Sequence, residues 1–339
     1  MGRLLARRLL QALLVIIGVV LVTFAVARLV PGDPAVAYAG PRAQKSELEH
    51  VRHELKLDRA WPVQLASYVG GVVQGDWGVA LHTRRPVLSD LGTAVPASLE
   101  LVAIALVFAV AVGVPLGIAG ARRRGRVADV LMRLFATLSV SMPIFWFALI
   151  LQHVFFQQLG WLPVAGEYSA DLMRTHPLDV RTHATILDAA ISGNLPVLRS
   201  ALAHVVLPML AVAAYPIGAI ALMTRASLLE SVGEDHVQMA RALGFSERTI
   251  YARLALRPAL NPVIALIALV FAYSLANTFL VESIFDWPGL GSYAAAAVES
   301  LDTPAILGVT LFVAIAYVLV NLVVDVVQTV VDPRLRRAP

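Results

Sequence analysis

The sequence predicts an all-α membrane protein, and composition, run length and the placement of arginines carry that prediction. The chain is 58% hydrophobic and only 15% charged, with a mean hydropathy of +0.75, against roughly 45–50% apolar and ~25% charged in a soluble domain. Lipid is therefore the solvent for much of it. Five apolar runs stand clear of the rest, at residues 9–30, 101–121, 205–223, 263–281 and 305–324. Each is near the ~20 residues that a helix rising 1.5 Å per residue needs to cross about 30 Å of hydrocarbon. They are too long for barrel strands, so helices are the spanning structure.

A sixth run, residues 134–156, is interrupted by Ser139, Ser141, Pro143, Gln152 and His153, but its 144–151 core is apolar and aromatic. Counting it gives six transmembrane helices. The first run follows Arg3, Arg7 and Arg8 and ends in Ala25-Val26-Ala27, like a secretory signal. Its length exceeds the 7–15 residues of a signal core and Arg28 follows the cleavage-like site, so an uncleaved anchor is expected.

Short cytoplasmic loops retain Lys and Arg. Sixteen of the 27 basic residues fall in four places: before the first span, between the second and third (Arg122 to Arg133), between the fourth and fifth (Arg225 to Arg257), and at the end (Arg334, Arg336, Arg337). Residues 286–304 have none and 160–204 have three. Both termini are therefore expected in the cytoplasm, with 31–95 and 160–204 as two extracytoplasmic excursions.

The first excursion opens on the turn signal Pro31-Gly32-Asp33-Pro34 and predicts a helix over 46–57, with Trp61, Tyr68 and Trp77 at lipid headgroup level. The second carries Pro163, Gly166, Pro177, Gly193 and Pro196, with a short helical stretch over 184–191. Gly113 and Gly117, one helical turn apart, favour close packing on a neighbouring helix or on a partner.

The cytoplasmic stretch 230–258 is longer than a connector needs. Asp235 is expected to cap a helix through Val237, Ala240 and Leu243 that stops at Gly244. Ser246 then caps a second helix through Ile250, Leu254 and Leu256, with Glu247 in its acid-favouring first turn. Arg241, Arg248 and Arg253 lie on this elbow. Glu100, His153, Asn277, Glu282, Asn321 and Asp325 lie within or near the ends of spans, where an ion costs about 2.5–3.5 kcal/mol at the centre. Asn277, Asn321 and Asp325 read as pore or interhelical polar contacts; Glu100 and Glu282, close to span ends, reach the interface. Asn321 and Asp325, at i and i+4, share one face.

The absence of cysteine removes disulfides, thiolate metal sites and cysteine nucleophiles, and no other metal site or cofactor is expected in this chain. The pI of 9.6 follows from membrane-flanking arginines, and no nucleic-acid motif accompanies it. The only lysines, Lys45 and Lys56, lie on the outward side and in no glycine-rich turn, so the chain has no Walker A loop.

The run His236-Val-Gln-Met-Ala-Arg-Ala-Leu-Gly-Phe-Ser-Glu-Arg248 resembles the EAA loop of ABC importer permeases. From the general pattern only Ala240 and Gly244 survive, at positions that also include Gln238 and Met239. Asp235, Ala240, Arg241, Ala242 and Gly244 fit the version found in the dipeptide, oligopeptide and nickel branch. Leu29-Val-Pro-Gly-Asp-Pro34, Gly75-Asp-Trp-Gly78, Pro96-Ala-Ser-Leu-Glu-Leu101, Glu282-Ser-Ile-Phe-Asp-Trp-Pro-Gly-Leu-Gly291, and Asn321-Leu-Val-Val-Asp325 through Asp332-Pro-Arg334 are also similar to that branch, most of all to the first permease of dipeptide importers.

The resemblance implies a type I ABC importer permease fold in a bacterial inner membrane. The divisions are 1–30, 31–95, a core over 96–333 with the coupling loop 230–258, and a tail over 334–339. Asp235, Gln238, Met239, Ala240, Arg241, Gly244, Phe245, Ser246 and Arg248 would contact an ATPase. The implied partners are a second homologous permease, two ABC ATPases that bind ATP and Mg, and an extracytoplasmic binding protein. Nickel chelates, glutathione and haem stand beside peptides as solutes. Of the other classes, an ion-driven secondary transporter predicts inverted halves with a charged midplane site. An intramembrane hydrolase needs a Ser–His pair, whereas Ser141 and His153 are about 18 Å apart along a straight helix.

Overall fold

A computed structural model describes residues 2–29, 34–40, 43–54 and 58–331. Apart from one isolated bridge between Val79 and Pro86, every regular element described is helical. The first span run lies in α1 (Gly2–Leu29), followed by α2 (Pro34–Ala39), α3 (Lys45–Glu54) and α4 (Trp61–Val73). The helix expected over 46–57 is α3; residues 55–57 fall outside the described part. Of the three aromatics expected at headgroup level, Trp61 is exposed. The Tyr68 hydroxyl is buried, and Trp77 packs on a cluster with Val87, Leu91, Leu290 and Val309.

The second span is α5 (Val87–Arg122), which starts 14 residues before its apolar run and contains Pro96 and Pro115. Val87, Leu91, Ala94 and Ala97 are buried at helical spacing, so packing extends the helix beyond the stretch that apolarity marks. Next come α6 (Val127–Ser141) and α7 (Ile144–Leu151), which continues as a π-helical turn over 152–158. The sixth span read from sequence is thus two helices bent by 104°. Pro143 supplies no N–H and holds the preceding Met142 extended, at φ −80° and ψ 127°, which ends α6.

Three short helices order the second excursion: α8 (Ala170–Thr175), α9 (Thr185–Ile191) and α10 (Leu195–His204). The rest comprises α11 (Val206–Gly233), α12 (Asp235–Ala242), α13 (Glu247–Thr249), α14 (Leu256–Asn277), α15 (Phe279–Ile284), α16 (Leu290–Glu299) and α17 (Thr303–Val331). A π-helical stretch over 250–255 joins α13 to α14 without a break. Among the described residues, Val87–Arg122, Val206–Val232, Glu247–Asn277 and Thr303–Leu322 are long and apolar enough to cross a membrane, and the bent pair α6–α7 makes a fifth span if counted as one. Within α1 the described apolar stretch is Leu13–Ala25.

The hub is α11, which packs on α5, α6, α7 and α14. Glycines allow the approach. A Cβ at Gly117 would stand 2.6 Å from the Ala221 carbonyl oxygen, and one at Gly218 would stand 2.6 Å from that of Ala136. The Gly113–Gly117 spacing therefore serves packing of α5 on α11 within this chain, where small residues let helix backbones touch. Leu101, Leu207, Ile220, Val263 and Trp287 fill the core around this hub.

Candidate functional site

The elbow between the fourth and fifth spans is built from local signals. Its first helix, α12, is capped at Glu234, with φ −71° and ψ 151°, and Asp235 is its first helical residue with no capping bond. Asp235 thus sits one position later than the cap expected of it, where its charge still suits the positive end of the helix. The chain leaves α12 through Gly244 at φ 85°. The Gly244 N–H bonds to the Arg241 carbonyl at 3.0 Å and the Phe245 N–H to that of Ala240 at 3.1 Å, closing the helix end. The Ser246 hydroxyl accepts from the Thr249 N–H at 3.3 Å, the cap its sequence position predicts.

Beyond that cap, the expected second helix is no separate arm. It runs straight into α14, so only α12 stands apart from the spans. Helix propagation explains this: nothing between Thr249 and Leu256 interrupts the backbone ladder, and each added residue gains a bond once a helix has begun.

The elbow has an inner and an outer face. Val237 and Ala240 are buried in a cluster with Ala121, Leu228, Ile250, Ala255 and Ala259. The Arg241 guanidinium donates to both Glu247 oxygens, at 2.7 and 3.2 Å, and to Gln238 Oε1 at 3.3 Å, bracing α12 against α13. Gln238 in turn donates to the Val232 carbonyl at 3.2 Å. On the opposite face Met239 is 66% exposed, Leu243 67% and Phe245 49%, beside the exposed Arg248.

The intramembrane polar residues divide. Asn277 and Asn321 donate to their own helices, at the carbonyls of Tyr273 (2.8 Å) and Tyr317 (2.9 Å). The Asp325 side chain lies outside the described part. His153 bonds to Gln157 and Gln158. Glu282, expected to reach the interface, is instead fully buried. It accepts from Ser98 Oγ at 2.7 Å and from the Gly291 N–H at 2.6 Å, because the chain folds back at Gly289 and Gly291 close enough to supply those donors. Glu100 accepts from the N–H groups of Ile186 (3.2 Å) and Leu187 (2.9 Å) at the start of α9.

Three further anchors were not singled out in the sequence. Asp129 is held by Arg225, tying α6 to α11 beside the elbow. Asp302 accepts from the N–H groups of Leu81 (2.5 Å) and His82 (3.0 Å), fixing the 79–86 hairpin to α17. Glu167 accepts from the Thr185 hydroxyl at 2.7 Å, while its other oxygen is buried without a partner. Burial pushes the Glu167 carboxyl up from 4.5 to about 7, the Glu100 and Asp188 charges adding to that and the Thr185 bond opposing it.

A bundle of spans around α11, with an apolar-tipped elbow on its arginine-rich side, defines a membrane permease component. Residues 113–337 match the family of binding-protein-dependent transport system inner membrane components, and residues 1–101 match the family of their N-terminal region; the chain belongs to this family. It is 39% identical over 327 residues to the probable D,D-dipeptide transport system permease protein DdpB of Escherichia coli K12, covering 96% of this chain and 94% of that one. To the dipeptide transport system permease protein DppB of Alkalihalophilus pseudofirmus it is 35% identical over 330 residues, 97% and 98% of the two chains. To the glutathione transport system permease protein GsiC of Salmonella paratyphi A it is 32% identical over 330 residues, 97% of each. The chain is thus a multi-pass transport subunit of the inner membrane and not an enzyme.

Proposed function

We propose that this chain is the membrane-spanning permease of an ATP-driven importer and forms, with a second homologous permease, the path for a peptide-like solute delivered by a binding protein. Its α1 is the sixth span, both termini lie in the cytoplasm, and 31–95 and 160–204 face outward. Asp235 to Arg248 form the seat for one of two ATPases, which bind ATP and Mg. The observation that carries this reading is the outer face of the elbow. Met239 on α12 and Leu243 and Phe245 in the turn after it stand exposed, while Val237 and Ala240 lock the other face of α12 into the bundle, and a cluster of exposed apolar side chains marks a contact surface. A chain without a phosphate-binding loop needs such a contact to receive work from ATP. Peptide as solute is supported by the names of the dipeptide relatives, and the glutathione relative keeps a second peptide-like molecule in view.

The test is purification of the complex with uptake of a radiolabelled dipeptide into proteoliposomes. Two ATPase chains and a second permease should accompany this chain, and Leu243→Asp should release the ATPases while leaving the permease pair intact. Dipeptide transport by this chain alone rejects the proposal.

A further inference from the structure

The break between α6 and α7 leaves polar backbone where a membrane span should have none. If α6 stands upright in the bilayer, its 15 residues at 1.5 Å each end roughly 22 Å from the arginine-rich loop, within the ~30 Å of hydrocarbon. The first turn of any helix has N–H groups with no partner inside the helix. In α7 the Phe147 N–H reaches the Pro143 carbonyl at 3.1 Å, while those of Ile144, Phe145 and Trp146 have no acceptor among the described residues. A second observation lies on the same spot. Ser139 is 6% exposed, lines the cavity at the break, and its hydroxyl has no partner among the described residues.

That cavity has a volume of about 880 Å³. Phe108, Phe135, Phe145, Trp146 and Ile217 are among its walls, and among the described residues lining it the polar side-chain groups are the hydroxyls of Ser139 and Ser141 and the indole N–H of Trp146. Lipid cannot fill it against the break, because each unsatisfied amide facing hydrocarbon costs several kcal/mol. The occupant has to accept hydrogen bonds at one end and be apolar elsewhere. A helix N-terminus favours an anion. Among the described residues no basic side chain lines the cavity, which disfavours a doubly charged phosphate or sulfate, and no acidic one does, which leaves none of them to hold an ammonium.

We propose that the amide end of α7, with Ser139 and Ser141, is a carboxylate-binding subsite on the translocation path, and that it receives the C-terminal carboxylate of a small peptide whose side chains rest on the aromatic walls. The identity of the carboxylate as a peptide's rests on the function proposed above; the subsite itself does not.

The chain has no cysteine, so Ser139→Cys places a single thiol at the subsite. The assembled transporter, without its binding protein, is reacted with a water-soluble methanethiosulfonate, which modifies thiolates in water, and labelling of this chain is read by mass spectrometry. Millimolar alanyl-alanine should slow labelling at least fivefold and its C-terminal amide less than twofold. Ile144→Pro removes one donor at the first helical position, where proline is tolerated, and Pro143 at φ −60° and ψ 128° already has the conformation that precedes proline. Added to Ser139→Cys, it should abolish the difference between the two probes, while Ile144→Val preserves it. Equal protection by the two probes overturns the subsite, as does a thiol that stays unlabelled both without nucleotide and with a non-hydrolysable ATP analogue. Selective protection of the Ser139→Cys thiol, together with a wild-type complex that imports no peptide, rejects the peptide reading and leaves the carboxylate subsite standing.

Discussion

Arg225 holds Asp129 with two parallel hydrogen bonds, Nε to Oδ1 at 2.6 Å and Nη2 to Oδ2 at 2.9 Å. The Gly125 N–H adds a third bond to the same carboxylate at 3.0 Å. The side chain of Asp129 is 1% exposed and that of Arg225 18%. Removing the carboxylate strands a partly buried guanidinium, and a hydrogen bond to a charged group is worth about 1.5–3 kcal/mol. Asp129→Ala should lower the unfolding free energy of the solubilised chain by that amount. The double variant with Arg225→Ala should cost less than the two single changes together; strict additivity would show that the pair does not act as one unit.

Gly244 ends α12 at φ 85° with nothing within 4 Å of the position a Cβ would take. Crowding is therefore no obstacle there, and only backbone conformation is. The left-handed region costs an ordinary residue roughly 1–2 kcal/mol, and a β-branched one is a strong outlier in it. Gly244→Val should leave membrane insertion intact and reduce solute-stimulated ATP hydrolysis at least tenfold, whereas Gly244→Asn, a residue that tolerates this conformation, should retain most of it. Full coupling in the valine variant removes the elbow from the energy path.

Gly117 and Gly92 share α5 but not their surroundings. A Cβ at Gly117 would meet the Ala221 carbonyl and Thr224, while Gly92 has open space. Gly117→Val should force α5 and α11 apart at a cost of about 1–3 kcal/mol. Gly92→Ala should be neutral or stabilise the helix by up to about 1 kcal/mol. Thermal denaturation of the two variants measures the difference.

Glu167 supplies a pH dependence. Its carboxyl is raised from 4.5 to about 7, so the folded excursion favours the neutral acid. The contribution is complete below pH 4.5 and is lost as pH rises through 7. Hydrogen exchange in Thr185–Ile191, corrected for intrinsic rates, should quicken between pH 5.5 and 8. Glu167→Gln should flatten that profile; an unchanged profile would place the titration elsewhere.

Much of the bundle was legible because lipid makes length and apolarity sufficient evidence for a span. The turn at Gly244 and the cap at Ser246 were legible because both depend on neighbours within a few residues. Glu282 was misread as an interfacial residue for the opposite reason. Its partner Ser98 lies 184 positions away, and Arg225 lies 96 from Asp129. Only the fold brings such groups together, and an isolated acid in an apolar window does not say which donor it meets. The continuity of α13 with α14 was missed because Pro258 and Pro262 stand between the helix read through Leu256 and the apolar run that starts at 263, although α14 runs through both.

That continuity makes a lever arm. From Glu247 to Asn277 the chain is helical for 31 residues, roughly 46 Å at 1.5 Å per residue. Its short end is clasped to α12 through Arg241 and Glu247. If the rod tilts by about 5° at the clasp, its far end swings by roughly 4 Å, about the width of a side chain. In the proposed orientation, a small rotation at the elbow would become a displacement of about a side chain's width at the opposite end of the rod.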